Sequence, residues 1–241
     1  MVALKKRIWI LLLASAGFVW ADGGVPLPRQ TSYHPKGASM SLAIGSLKPS
    51  GSSCKRMLTW QGQGEFFYTS WMSAGLNIRM NGGNLDKEYH IIYQRYLAHA
   101  RFYGKFSDNF VILLGPIVGF ENTDLSRMRD EESDTQKADD DLCSDEYAMG
   151  GFSYGMEAGF GWKIIRDIGF VFRGAYEAIE NDYSLVQINA GFAYNLRNHV
   201  DWLKRNLLGS WVSIEMAFYH YPETELKNWG KMILLGINFA I

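Results

Sequence analysis

The chain has 241 residues, 47% of them hydrophobic and 15% aromatic, with 25 glycines and a formal net charge of −1. That length suits one sizeable domain, and the near-neutral charge excludes the basic footprint of a nucleic-acid binder. The only long apolar run lies at the N-terminus, which excludes a helical membrane protein.

Residues 1–21 have the layout of a cleaved secretory signal peptide. Lys5, Lys6 and Arg7 precede an apolar run from Ile8 to Val19, too short for an ordinary spanning helix, and Val19-Trp20-Ala21 offers a small-residue cut before Asp22. Losing three positive charges takes the chain to about −4. Residues 22–36 are polar, with Pro26, Pro28 and Pro35, and read as a flexible leader.

Alternation then begins. A strand sends successive side chains to opposite faces, and in 39–47 Met40, Leu42 and Ile44 oppose Ser39, Ser41, Ala43 and Gly45. In 56–68 Leu58, Trp60, Phe66 and Tyr68 oppose Thr59, Gln61, Gln63 and Glu65, and in 72–80 Met72, Leu76 and Ile78 oppose Ser73, Asn77 and Arg79. Strands follow at 89–105 and 110–121. In 89–105, Ile92, Tyr96, Ala98 and Phe102 share a face that Gln94 breaks, as a bulge would.

The clearest stretch is Phe152 to Ile164, inside a strand over 148–164. Phe152, Tyr154, Met156, Ala158, Phe160, Trp162 and Ile164 fall on one face, aromatic at both ends; the other is small and polar. Ten steps of strand span about 33 Å, roughly 23 Å of depth at a tilt of about 45°. Tyr and Trp prefer the water–lipid boundary, where the ring is apolar and one edge hydrogen-bonds. Strands at 168–179, 184–195, 211–221 and 231–241 complete the set. Between the third and second from last, Arg197–Leu208 carries Val200, Leu203 and Leu207 at helical spacing, with Asn198 as a cap, and reads as a short basic amphipathic helix at the membrane rim.

Turns near 69–71, 107–109 and 165–167 are short, whereas 48–54, 81–88, 122–147 and 222–230 are longer. Ten strands with this asymmetry make an all-β chain, a closed antiparallel transmembrane β-barrel over 37–241. An eight-stranded alternative drops 39–47 and 56–63, and puts Cys54 and Cys143 on opposite sides of the membrane; ten strands bring both to outer loops, where a disulfide is geometrically allowed.

The signal peptide, the alternating strands, the unequal loops and the final amphipathic strand resemble small outer-membrane β-barrel proteins of diderm bacteria. The resemblance is architectural and covers about 37–241. It implies a cell outer-membrane location with the leader in the periplasm, contact with outer-membrane lipid, and insertion by the barrel-assembly machinery. That machinery reads a terminal Phe in many such proteins; here Phe239 fits the alternation and the last residue is Ile241.

The inward face is expected to carry Glu65, Arg79, His99, Arg101, Glu157, Lys163, Arg173, Glu177, Glu215 and Lys231. Charges of both signs in a narrow barrel pair across the lumen, because an unpaired buried charge is costly. The expectation is a lumen largely plugged by paired charges, and a structural or surface-interaction role. The alternative is a small passive pore; a lipocalin-like soluble barrel would need its apolar face turned inward. Loop 122–147 has ten acids, among them Asp139, Asp140 and Asp141, against three bases, without the D-x-D-x-D-G spacing of a calcium loop. It reads as a solvated outer loop.

No catalytic, cofactor or metal motif is present. His34, His90, His99, His199 and His220 lack metal-ligand spacing, and none forms the His-x-Ser pair of outer-membrane lipid A deacylases. Omptin-like proteases also have ten strands with acids and histidines at the outer rim. His220 and Glu223 fall near that rim without companion motifs, so no enzyme is expected.

Overall fold

A computed structural model describes residues 26–27, 31–32, 36–48, 56–84, 89–127, 151–180, 183–220 and 230–240. Ten long strands form the body: β1 Ala38–Lys48, β2 Met57–Phe67, β3 Met72–Asn84, β4 Tyr89–Ser107, β5 Phe110–Arg127, β6 Gly151–Ile165, β7 Ile168–Ile179, β8 Tyr183–Asn195, β9 Gly209–His220 and β10 Gly230–Ala240. Each pairs antiparallel with its sequence neighbours, and β10 pairs with β1, as in Phe239 opposite Met40, so the sheet closes on itself. Closure removes the unpaired backbone edges that hydrocarbon would penalise by several kcal/mol per group. In the leader, Pro26–Leu27 pairs antiparallel with Thr31–Ser32.

Burial follows the period of two. In β2 Thr59, Gln61, Gln63 and Glu65 are buried, and Leu58, Trp60 and Phe66 are exposed. The same holds in β6, where Ser153 and Glu157 are buried while Phe152, Tyr154, Met156 and Trp162 are bare. The barrel is therefore apolar outside and closed around polar side chains. Among the described residues no helix is long and apolar enough to cross a membrane.

Several boundaries differ from expectation. β5 continues to Arg127, so 122–127 extends the strand and is not loop. Gln94 causes no bulge: it stays in register between Met80 and Asn122 and accepts the Tyr96 hydroxyl at 3.1 Å. The shift on β4 lies instead between Lys105 and Ser107, at the turn. The helix of the β8–β9 connection, α1, spans only Asp201–Asn206. Val200, with no side-chain hydrogen bond, occupies the cap; Asn198 lies two residues earlier and donates its amide to Asp167 Oδ1 at 2.6 Å.

The inward face is also less uniformly polar than expected. Leu47, Met57, Ile179, Leu185, Tyr219 and Met232 cluster inside the barrel, toward the end opposite the short turns. Phe67, Tyr103, Val111 and Leu113 form a second apolar cluster at the turn end. Leu47 is off-phase with Met40, Leu42 and Ile44, so the alternation itself turns it inward.

Candidate functional site

Between the two apolar clusters lies an ionic core. Arg101 on β4 sits between two carboxylates. Its Nε donates to Glu157 Oε1 at 2.7 Å and its Nη2 to Oε2 at 3.3 Å, and its Nη1 donates to Glu65 Oε2 at 2.7 Å. Arg173 on β7 donates to the second Glu157 oxygen at 2.5 Å. Glu65 also accepts from Ser73, Tyr103 and, at 3.2 Å, Gln63. Fork-shaped guanidinium–carboxylate pairs of this kind carry directional as well as ionic strength.

A second set is built on Arg95, also on β4. Its guanidinium meets Glu121 on β5 at 2.8 Å and Glu177 on β7, and donates to Gln187 on β8 at 3.0 Å. Gln187 in turn donates to Asn189 at 2.6 Å. Arg79 on β3 donates to the Tyr93 hydroxyl at 3.3 Å and lies over the Tyr219 ring, 4.4 Å from its centroid, a cation–π contact.

Two arginines on one strand thus tie together β2, β4, β5, β6, β7 and β8. The glycines make this possible. Gly115 on β5 pairs with Glu157 and lies beside Arg101. A Cβ at Gly115 would fall 1.9 Å from the Ala100 carbonyl oxygen and 3.0 Å from Arg101 Cα. On the described strands the buried charges are four arginines, Arg79, Arg95, Arg101 and Arg173, against five glutamates, Glu65, Glu121, Glu157, Glu177 and Glu215. Near balance is what a low-dielectric interior tolerates.

The residues expected inside fall as follows. Glu65, Arg79, His99, Arg101, Glu157, Arg173, Glu177 and Glu215 are buried; His99 Nε2 stands 4.0 Å from Glu65 Oε2. Lys163 is half-exposed where the β6–β7 register shifts, outside these ion pairs. Lys231 is exposed and shares the outward face of β10 with Ile233 and Leu235, so its expected inward position is corrected. Arg95 and Glu121 escaped the sequence reading. Both stand at alternate positions from Arg101 and Glu157-facing neighbours, a signal that the apparent break at Gln94 hid.

His220 is half-buried at the end of β9. Glu223, Cys54, Cys143 and Asp139–Asp141 lie outside the described residues, as do 1–25. Among the described residues no cluster of three or more His, Cys, Asp or Glu side chains could hold a metal.

At the short-turn end, Asp167 of the β6–β7 turn accepts from Asn198 and lies 3.3 Å from His199 Nε2. The Asn198 amide, and then His199, hold the Asp167 carboxyl below the usual carboxylate range.

No protein-family model matches the sequence, and no curated protein matches it. Solved structures of similar fold include Neisserial surface protein A, at 7% identity and TM-score 0.40 over 84% of this chain and 95% of that one. They include the NanC porin, at 9% identity and TM-score 0.44 over 82% and 98%. They also include the outer membrane protease OmpT from Escherichia coli, at 8% identity and TM-score 0.42 over 88% and 99%. Similarity this distant transfers no activity. The architecture rests on the chain's own register: ten antiparallel strands closed by β10 on β1, apolar outside and polar within, the build of a small outer-membrane β-barrel.

Proposed function

We propose that the chain is an outer-membrane protein, exported on residues 1–21 and inserted by the barrel-assembly machinery, whose barrel is a closed, non-catalytic scaffold presenting its loops to partners outside the cell. The observation that supports this reading is the Arg101 bridge between Glu65 and Glu157, with the Arg95 set beside it, as buried, mutually bonded side chains on the inward faces of the strands. Removing any one of them strands its partner, so the core resists opening. The segment 128–147, rich in Asp and Glu, is the stretch we assign to a partner.

The first test is electrophoretic mobility of the outer-membrane fraction, unboiled against boiled. A heat-dependent shift supports the closed barrel; a soluble protein without a shift overturns it. Deleting 128–147 should preserve the shift and abolish adhesion or partner binding by cells that express the protein. Unchanged binding would remove the loop from the account.

A passive pore is the second reading. It is favoured by one wall of the lumen, where Trp211 Nε1, Ser213 Oγ and Ser39 Oγ are buried with no hydrogen-bond partner among the described residues. Such groups call for water. A conductance that disappears on replacing Ser213 and Ser39 with Leu would favour this reading over the closed scaffold.

A further inference from the structure

The connection from β8 to β9 is held at two points. Arg197, buried, donates from Nε to the Leu207 carbonyl at 2.8 Å and from Nη2 to the Lys204 carbonyl at 3.4 Å, so it bonds the chain at the C-terminal end of α1. At the other end, Asn198 and His199 meet Asp167, and the Tyr194 hydroxyl lies 2.9 Å from His199 Nε2. The His199 ring stacks on Tyr194, with centroids 5.3 Å apart and planes at 18°. Tyr194 shares the outward face of β8 with Phe192. The stack therefore fixes the entry to α1 against the outer wall, level with the aromatic rim, and not beneath the lumen.

What is held there is an unusual surface. α1 has no buried residue. Trp202 is 62% exposed and Val200 43%. A helix this short has little stability in water alone, yet it is pinned so that an indole is bare. Lys204 and Arg205 close its last turn, and Arg166 is exposed on the turn to which it is pinned. The acids nearby are Asp201, in its first turn, and Asp167, already engaged by Asn198 and His199. An apolar tip beside a surplus of bases matches the boundary of a bilayer with anionic headgroups.

We propose that α1 and the Arg166 turn form a docking surface for anionic phospholipid headgroups in the leaflet at the short-turn end of the barrel. Trp202 and Val200 enter the acyl boundary; Lys204, Arg205 and Arg166 meet the phosphates. This inference rests on the membrane-barrel reading above.

The test uses the full chain reconstituted into vesicles of equal parts phosphatidylcholine and phosphatidylglycerol. Lipid retained after detergent extraction is quantified by mass spectrometry, and the heat-dependent mobility shift is recorded for every variant. The wild type should retain phosphatidylglycerol several-fold above its share. K204E/R205E, and separately R166E, should bring retention toward the vesicle ratio with the shift intact. K48E/K231E, altering exposed lysines at the opposite end, should leave the enrichment unchanged. Absence of enrichment in the wild type, or enrichment that survives K204E/R205E, overturns the docking surface while leaving the barrel standing. Loss of the shift in the wild type overturns the barrel reading itself.

Discussion

The Arg101 guanidinium on β4 grips both oxygens of Glu157 on β6, at 2.7 and 3.3 Å, across the intervening strand β5. Neither residue reaches water, and each needs the other's charge. Replacing Arg101 with Met should leave Glu157 and Glu65 with too few donors, at a cost of about 3–5 kcal/mol, the range for breaking a buried pair. The temperature at which the folded band converts to the unfolded band on gels should fall. The fourfold change R101M/E65L/E157L/R173M should recover part of the loss, since an apolar replacement of a whole buried network is often neutral, whereas keeping Arg173 without Glu157 would strand its charge. A single R101M variant as stable as wild type would show that the network is dispensable.

Gly115 and Gly174 make opposite forecasts. An alanine Cβ at Gly115 meets the backbone of β4 at 1.9 Å, so G115A must push β4 and β5 apart where Arg101 crosses; a loss of about 1–3 kcal/mol is expected, as for overpacking. At Gly174 a Cβ has nothing within 4 Å, so G174A should be neutral or slightly stabilising, by up to about 1 kcal/mol. Side-by-side thermal unfolding of the two variants reads the difference directly.

The strand pattern was legible because a barrel in lipid imposes one apolar face on every strand, and Phe152 to Trp162 shows that period without interruption. Ten strands follow from it, although β3 and β5 run on to Asn84 and Arg127, past their expected ends at 80 and 121. The interior was legible only in part. Arg95 and Glu121 were missed because Gln94, lying outward near a strand end where lipid gives way to headgroups, looked like a break in phase. Leu47, Met57 and Met232 fall on the inward phase of their strands, but an inward face expected to be polar throughout gave no reason to single out apolar residues near the barrel end. Partners across strands need the register, which a sequence of isolated strands does not contain.

Arg95 gives a test of that missed half. R95M strands Glu121 and Glu177 in the interior and should cost about as much as R101M, roughly 3–5 kcal/mol. The R95M/R101M pair should be close to additive, because Arg95 and Arg101 stand about 20 Å apart along β4 and bond to different carboxylates. A marked departure from additivity in the same unfolding assay would mean one coupled network.

The Asp167 clamp on the β8–β9 connection sets a pH dependence. Its carboxyl is held low by Asn198 and then by His199. A carboxylate whose folded pKa lies below its unfolded value, about 3.9, adds stability that is fully present above that value and is lost as pH falls through the lower folded one. Protease access to the connection containing α1 should therefore stay constant from neutrality down to the ordinary carboxylate range and rise only below it. D167N should remove that acid-side step. A step unchanged in D167N would assign it to another group.

The most direct test of a barrel closed by its own ionic core is current through single molecules of the wild-type protein in a planar bilayer. The account predicts insertion, verified by the heat-dependent mobility of the same preparation, with no reproducible open-channel step. Steady, uniform conductance steps from the wild type would contradict it and turn the Arg95 and Arg101 networks into the lining of a pore.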